Sequence, residues 1–169
     1  EHCVRMTRAY LADVDDLGVH RDGDKMGGRA MAPLLHDAAE AVTFDCPSPV
    51  KDRVLVDYRI SDRMGARLTF REAENRIHAR IVRALLVGGR GDARALIDGS
   101  LDDFVREWDL WMLRTEAEVL CPGQWREWPS IQGVEAIEGV EIDRWAADHA
   151  AFMFWHVFGE LCAGLGVTP

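Results

Sequence analysis

Apolar residues recur at three- and four-residue spacing along most of this chain, which is the period of a helix packed on one face. Residues 1–13 predict a first helix. A second spans 29–44, opened by Gly27-Gly28, with Pro33 in its first turn and Pro47 and Pro49 closing it. A third covers 68–87, where Leu68, Ile77, Ile81 and Leu85 alternate with polar Arg71, Glu74, Arg80 and Arg83, and Gly88-Gly89 stops it. Ser100 is placed to cap a fourth helix reaching Leu120, with Asp102 and Asp103 in its first turn and Pro122-Gly123 beyond its end. Residues 121–141 read as loop, and a last helix is expected from Asp143 to Leu165. No stretch of useful length shows strict two-residue alternation, so the expectation is a single all-α domain over 1–169, without repeat or linker.

The net charge of −9 argues against a nucleic-acid partner, which would call for a basic stripe. It leaves room for a small phosphorylated substrate, because a bound cation can invert the local field. Cys3, Cys46, Cys121 and Cys162 form no CxxC pair, which suits reduced thiols and a cytoplasmic location. No apolar run approaches membrane-spanning length, so no membrane partner is expected.

The candidate chemistry starts at His36-Asp37, an imidazole and a carboxylate inside an apolar run. Neighbours on a helix point about 100° apart, so both face one ion only when it sits at the helix flank. Such a pair suits a first-row divalent cation. Asp109 lies among Trp108, Leu110, Trp111, Met112 and Leu113, where a lone carboxylate is costly unless paired or coordinated. A salt bridge to Arg106 or Arg114 would serve equally well. His149 and His156, seven apart with Phe152, Met153 and Trp155 between them, read as core or interface packing. His78 sits among arginines and is expected at the surface, and His20 lies in a polar loop.

The segments "EHCVRM", "LLHDAAEAVTFDCPSPVK" and "WDLWMLRTEAE" set His2, His36-Asp37 and Asp109 in a fixed order. That order resembles the HD-domain metal-dependent phosphohydrolases, in the branch of the bacterial 5′-deoxynucleotidases and phage deoxynucleoside triphosphohydrolases. The branch shows an "H-S/C" helix, then "LLHDAxEAxxxDxPxPxK", then "ADxxxLxTE", and the likeness covers roughly residues 1–120. It implies an HD-domain helical bundle in which His2, His36, Asp37 and Asp109 bind a divalent metal ion (Mn, Co, Zn or Mg). It implies that Glu40 positions or deprotonates the attacking water, that Asp45 orients the nucleophile or assists the leaving oxygen, and that Lys51 meets the substrate phosphate. The implied substrate is a deoxynucleotide, as a 5′-monophosphate or a 5′-triphosphate.

Other readings stay open for these residues: a solvated Glu40, a turn-capping Asp45, a surface Lys51, and Ser48 as a cap. Family members carry more chain before the first histidine, so an upstream segment is expected before Glu1. The stretch 56–66 is longer than the family's usual connection there. The loop "CPGQWREWPS" either lines the pocket or packs. A different class of function, a non-catalytic HD-fold regulatory or assembly module with a structural metal, is disfavoured by Glu40 and Asp45, acids such a site does not need. The aromatic last helix, with Trp145, Phe152, Phe154, Trp155 and Phe158, is apolar on more than one face and predicts a homo-oligomer.

Overall fold

The computed structural model describes residues 1–16, 23–43, 46, 48–61, 64–85 and 96–166. Helix α1 (His2–Asp16) is followed by α2 (Gly23–Leu35), the short turns α3 (Glu40–Thr43) and α4 (Ser48–Lys51), and strands β1 (Leu55–Ser61) and β2 (Met64–Thr69). Then come α5 (Phe70–Leu85), α6 (Asp102–Leu120), two short 3₁₀ turns at Gln124–Glu127 and Pro129–Ile131, and α7 (Ala147–Leu165). The molecule is mostly helical.

The core forms around the end of α2, where Met31, Leu34 and Leu35 are fully buried with Pro33 between them. Helix α1 brings Val4 and Met6 to it, α6 brings Met112, and the second half of α7 brings Phe158 and Cys162. Burying a side chain of Phe158's size stabilises the fold by about 1.5–3 kcal/mol. Residues 30–35 are buried throughout, and a run buried on all sides cannot show a polar stripe, which is why this part of α2 has no outer face in the sequence.

Several boundaries differ from the sequence reading, each for a local reason. The second helix starts at Gly23 and stops at Leu35, so Gly27-Gly28 lie inside it and Pro33 falls in its last turn. Beyond it, Ala38 N–H donates to Leu35 O and Glu40 N–H to Asp37 O, tight turns that replace helical bonds over residues 36–39. Pro49 is the second residue of α4, where a missing N–H costs nothing, rather than a terminator. Ser100 is not the cap of α6; Leu101 holds that position without a side-chain bond, while Asp102 and Asp103 do occupy the first turn. The last helix begins at Ala147, because Asp143 is drawn away to Arg5. Pro47, His20 and Gly88-Gly89 lie outside the described residues.

The all-α expectation fails at residues 55–69, which form an antiparallel hairpin pairing Leu55 with Thr69, Val56 with Leu68 and Asp57 with Arg67. The alternation is present but short: Asp57 and Arg59 face solvent while Val56 and Tyr58 are partly covered. Guanidinium groups of Arg76 and Arg80, 5.9 and 5.6 Å from the Tyr58 ring, lay α5 against the hairpin. This hairpin delivers α5 back to the face where His36 stands, with His78 of α5 bonded to Leu35 O. All four cysteines are free thiols, and no described helix is long and apolar enough to cross a membrane.

Candidate metal centre

Two consecutive residues from each of two places meet here: His2 and Cys3 in the first turn of α1, His36 and Asp37 just past the end of α2. Because His36-Asp37 lies in a turn, both side chains converge without the divergence a helix would impose. Helix α6 adds Asp109. The Nε2 of His2 is 3.0 Å from Asp109 Oδ1, and the Nε2 of His36 is 3.0 Å from Asp37 Oδ2 and 3.9 Å from Asp109 Oδ1. The two rings stand 5.9 Å apart at 57°.

The far nitrogen of each ring is also engaged. His2 Nδ1 bonds to Glu116 Oε2 at 2.9 Å, and His36 Nδ1 bonds to Pro33 O at 2.9 Å. A carbonyl oxygen only accepts, so His36 Nδ1 carries the proton and Nε2 is left to face the cluster. His2 meets a carboxylate at each nitrogen, Glu116 at Nδ1 and Asp109 at Nε2. Backing of this kind is what histidines at metal sites show.

The donor set fits a divalent cation. N and O donors bound at about 2.0–2.2 Å lie roughly 3.0–3.5 Å from one another, close to the spacings found here. No lysine or arginine pairs with Asp37, Asp109 or Glu116 among the described residues; Arg114, a possible partner of Asp109, pairs with Glu118 at 2.6 Å instead. Positive charge must come from the imidazoles or from an ion. Burial disfavours charge on both rings, yet bonds to Asp109 and Glu116 raise the His2 pKa to about 10. For His36 burial is likewise outweighed, by Asp37 above all, and its pKa rises to about 11. Burial disfavours the Asp37 carboxylate too, but its bond to His36 prevails and holds its pKa below the ordinary value.

Beside the cluster opens a cavity of about 300 Å³ whose wall includes His36, Asp37, Glu40, Lys51, Glu74 and Asp109. Glu40 is part of that wall. Lys51 is there as well, but not as an open phosphate hook: its Nζ lies 3.2 Å from Glu40 Oε1 and 2.9 Å from Glu74. Burial opposes the ammonium charge; bonds to Glu74 and then Glu40 overcome it and raise its pKa. Asp45 lies outside the described residues.

Four residues of this region escaped the sequence reading. Glu116 follows Asp109 by seven positions, hence lies on the same face of α6, and it is the final residue of "TE" in the motif. Glu74, expected on the polar face of its helix, is 8% exposed, on the face shared by Phe70, Ala73 and Val82. Its spacing from Phe70 was the available signal. His78, expected at the surface, is half-buried; its Nε2–H donates to Leu35 O at 3.0 Å, and burial pushes its pKa below the ordinary value. Arg106 lines the cavity three residues before Asp109. In the tryptophan-rich loop Trp125 packs, 3.4 Å under the Arg114 guanidinium, and is not in the cavity wall.

His149 and His156 are exposed rather than buried in the core; His149 meets the Trp145 ring edge-on and His156 stacks on Phe152. Fold and site together define a mostly helical chain carrying a histidine–carboxylate cluster beside a cavity. Compared with protein-family models, curated proteins and solved structures, it gives no match.

Proposed function

We propose that this chain is an HD-type metal-dependent phosphohydrolase that cleaves the phosphoester next to the sugar of a deoxynucleotide. The observation that carries the reading is the orientation of two imidazoles. His2 aims Nε2 at Asp109 and His36 aims Nε2 at Asp37, while Glu116 and the Pro33 carbonyl hold the opposite nitrogens.

His2, His36, Asp37 and Asp109 would hold the divalent ion. Such an ion supplies a Lewis acid for a phosphoryl oxygen and lowers the pKa of a nearby water. Glu40 stands within the cavity wall as the base that takes the proton of the attacking water. Lys51 orients that carboxylate, its ammonium shared with Glu74. Arg106 offers the wall's further cation to phosphate oxygens. Asp45 retains the proposed role of assisting the leaving oxygen, on the resemblance alone.

The test is release of phosphate and of triphosphate from the common deoxynucleoside mono- and triphosphates, with Mn²⁺, Co²⁺, Zn²⁺ and Mg²⁺ compared. Release of one product class, dependent on the added ion, is expected. Stoichiometric metal with no turnover on any of them would move the assignment to a module whose ion is structural.

A further inference from the structure

Cys3 belongs to the same cluster, yet the four-residue ligand set leaves it out. Its Sγ lies 3.8 Å from Asp37 Oδ2, and the donor atoms of Cys3, His36 and Asp37 all fall within 4.8 Å of one another. The same limit holds for His2, His36 and Asp109, so two triads meet at His36. The arrangement is near-symmetric: each consecutive pair, His2-Cys3 and His36-Asp37, gives one imidazole and one further donor. Sulfur bonds to a first-row ion are longer than nitrogen or oxygen bonds, about 2.3 Å against 2.0–2.2 Å, so a sulfur donor stands farther from its neighbours. The 3.8 Å separation agrees with that.

We propose that Cys3 is a further donor to the cation held by His2, His36, Asp37 and Asp109, and that its sulfur selects thiophilic ions. The proposal rests on the metal-centre reading above. Ligation exchanges the S–H proton for the cation and releases that proton to solvent. One soft donor among imidazoles and carboxylates favours Zn²⁺, Co²⁺ and Cd²⁺ over Mg²⁺ and Mn²⁺, which oxygen-only sites hold comparatively well. Cys46 and Cys162 are buried, and Cys121 caps the C-terminal end of α6. None of the three is in either triad.

Co²⁺ spectroscopy on the whole chain separates the possibilities. Wild type should develop both visible ligand-field bands and a near-ultraviolet thiolate-to-cobalt band. Cys3→Ser should keep the first and lose the second. Its Cd²⁺ affinity should drop about tenfold or more while Mn²⁺ affinity stays within about threefold. Ligand-field bands without the thiolate band in wild type would overturn the role of Cys3 and leave the metal centre standing. A thiolate band that survives in Cys3→Ser would also overturn it, since the sulfur would come from another cysteine. No visible bands in wild type would remove the metal centre itself. Cys3→Ala, checked by circular dichroism, guards against a serine oxygen substituting for sulfur.

Discussion

Asp109 and Glu116, two turns apart on α6, clasp opposite nitrogens of the same His2 ring, at 3.0 and 2.9 Å. One helix therefore supplies both a candidate metal ligand and the brace of another. Glu116→Gln keeps the size of the side chain but weakens that brace. Metal affinity, measured by competition with a chromophoric chelator, should fall about 10–100-fold while the fold persists. Unchanged affinity would show that the Glu116 bond orients nothing that matters.

Removing a ligand itself should cost more. Asp37→Ala is expected to lose metal to background in elemental analysis and to lose turnover with it. A full equivalent of metal retained by this variant would exclude Asp37 from the ligand set.

Glu40 is set apart from the ligands by its bond to Lys51 at 3.2 Å. Glu40→Gln should hold its metal and its fold and lose on the order of 10²–10⁴ in turnover, the range of a general base. Loss of metal in this variant would make Glu40 a ligand; near wild-type turnover would remove it from the mechanism.

The pH dependence follows from the two imidazoles, whose pKa values stand above the ordinary histidine value, at about 10 and 11. A raised pKa means the folded state binds the proton more tightly. In chelator-treated protein this stabilisation is fully present below about pH 6.5 and is lost as pH rises through 10–11. The denaturation midpoint should fall over that window, and the slope should shrink in a His2→Gln/His36→Gln variant. Metal affinity should run the other way, rising with pH as the ion displaces those protons. A midpoint that is flat or rising across the window would contradict the assignment.

Phe152 and Trp155, 64% and 60% exposed on the first half of α7, predict a second copy packed against them. Light scattering at micromolar concentration should give at least twice the 19.0 kDa chain mass, and Phe152→Glu with Trp155→Glu should return it to the monomer. A monomeric wild type would refute the pairing.

Legibility in the sequence divided along physical lines. His36-Asp37 and Asp109 stood out because acids inside apolar runs need partners, while the ligand roles, and that of His2 with them, came from the resemblance. Helices α5 and α6 were readable because each has one wet face. The hairpin was hidden because its alternating residues are few and partly arginine, and such strands resemble an amphipathic helix start. The end of α2 was hidden because the turn at 36–39 contains only good helix formers, and tertiary placement of His36 overrides that preference. The pairing of Lys51 with Glu74 was not readable at all, since it depends on the hairpin bringing α5 back.

Arg5 has a consequence for how the molecule assembles. Buried on α1, it binds Glu1 at 2.8 Å, the Asp143 carboxylate at 2.7 Å and the backbone oxygens of Glu141 and Asp143. The bonds to Glu141 and Asp143, like the one from His2 to Glu116, join residues more than a hundred positions apart. Loops that long close late, after local helices have formed. A ribosome must release α6 before the cluster of His2, His36, Asp37 and Asp109 exists, so any ion it holds would enter after α1 and α2 have formed rather than nucleate them.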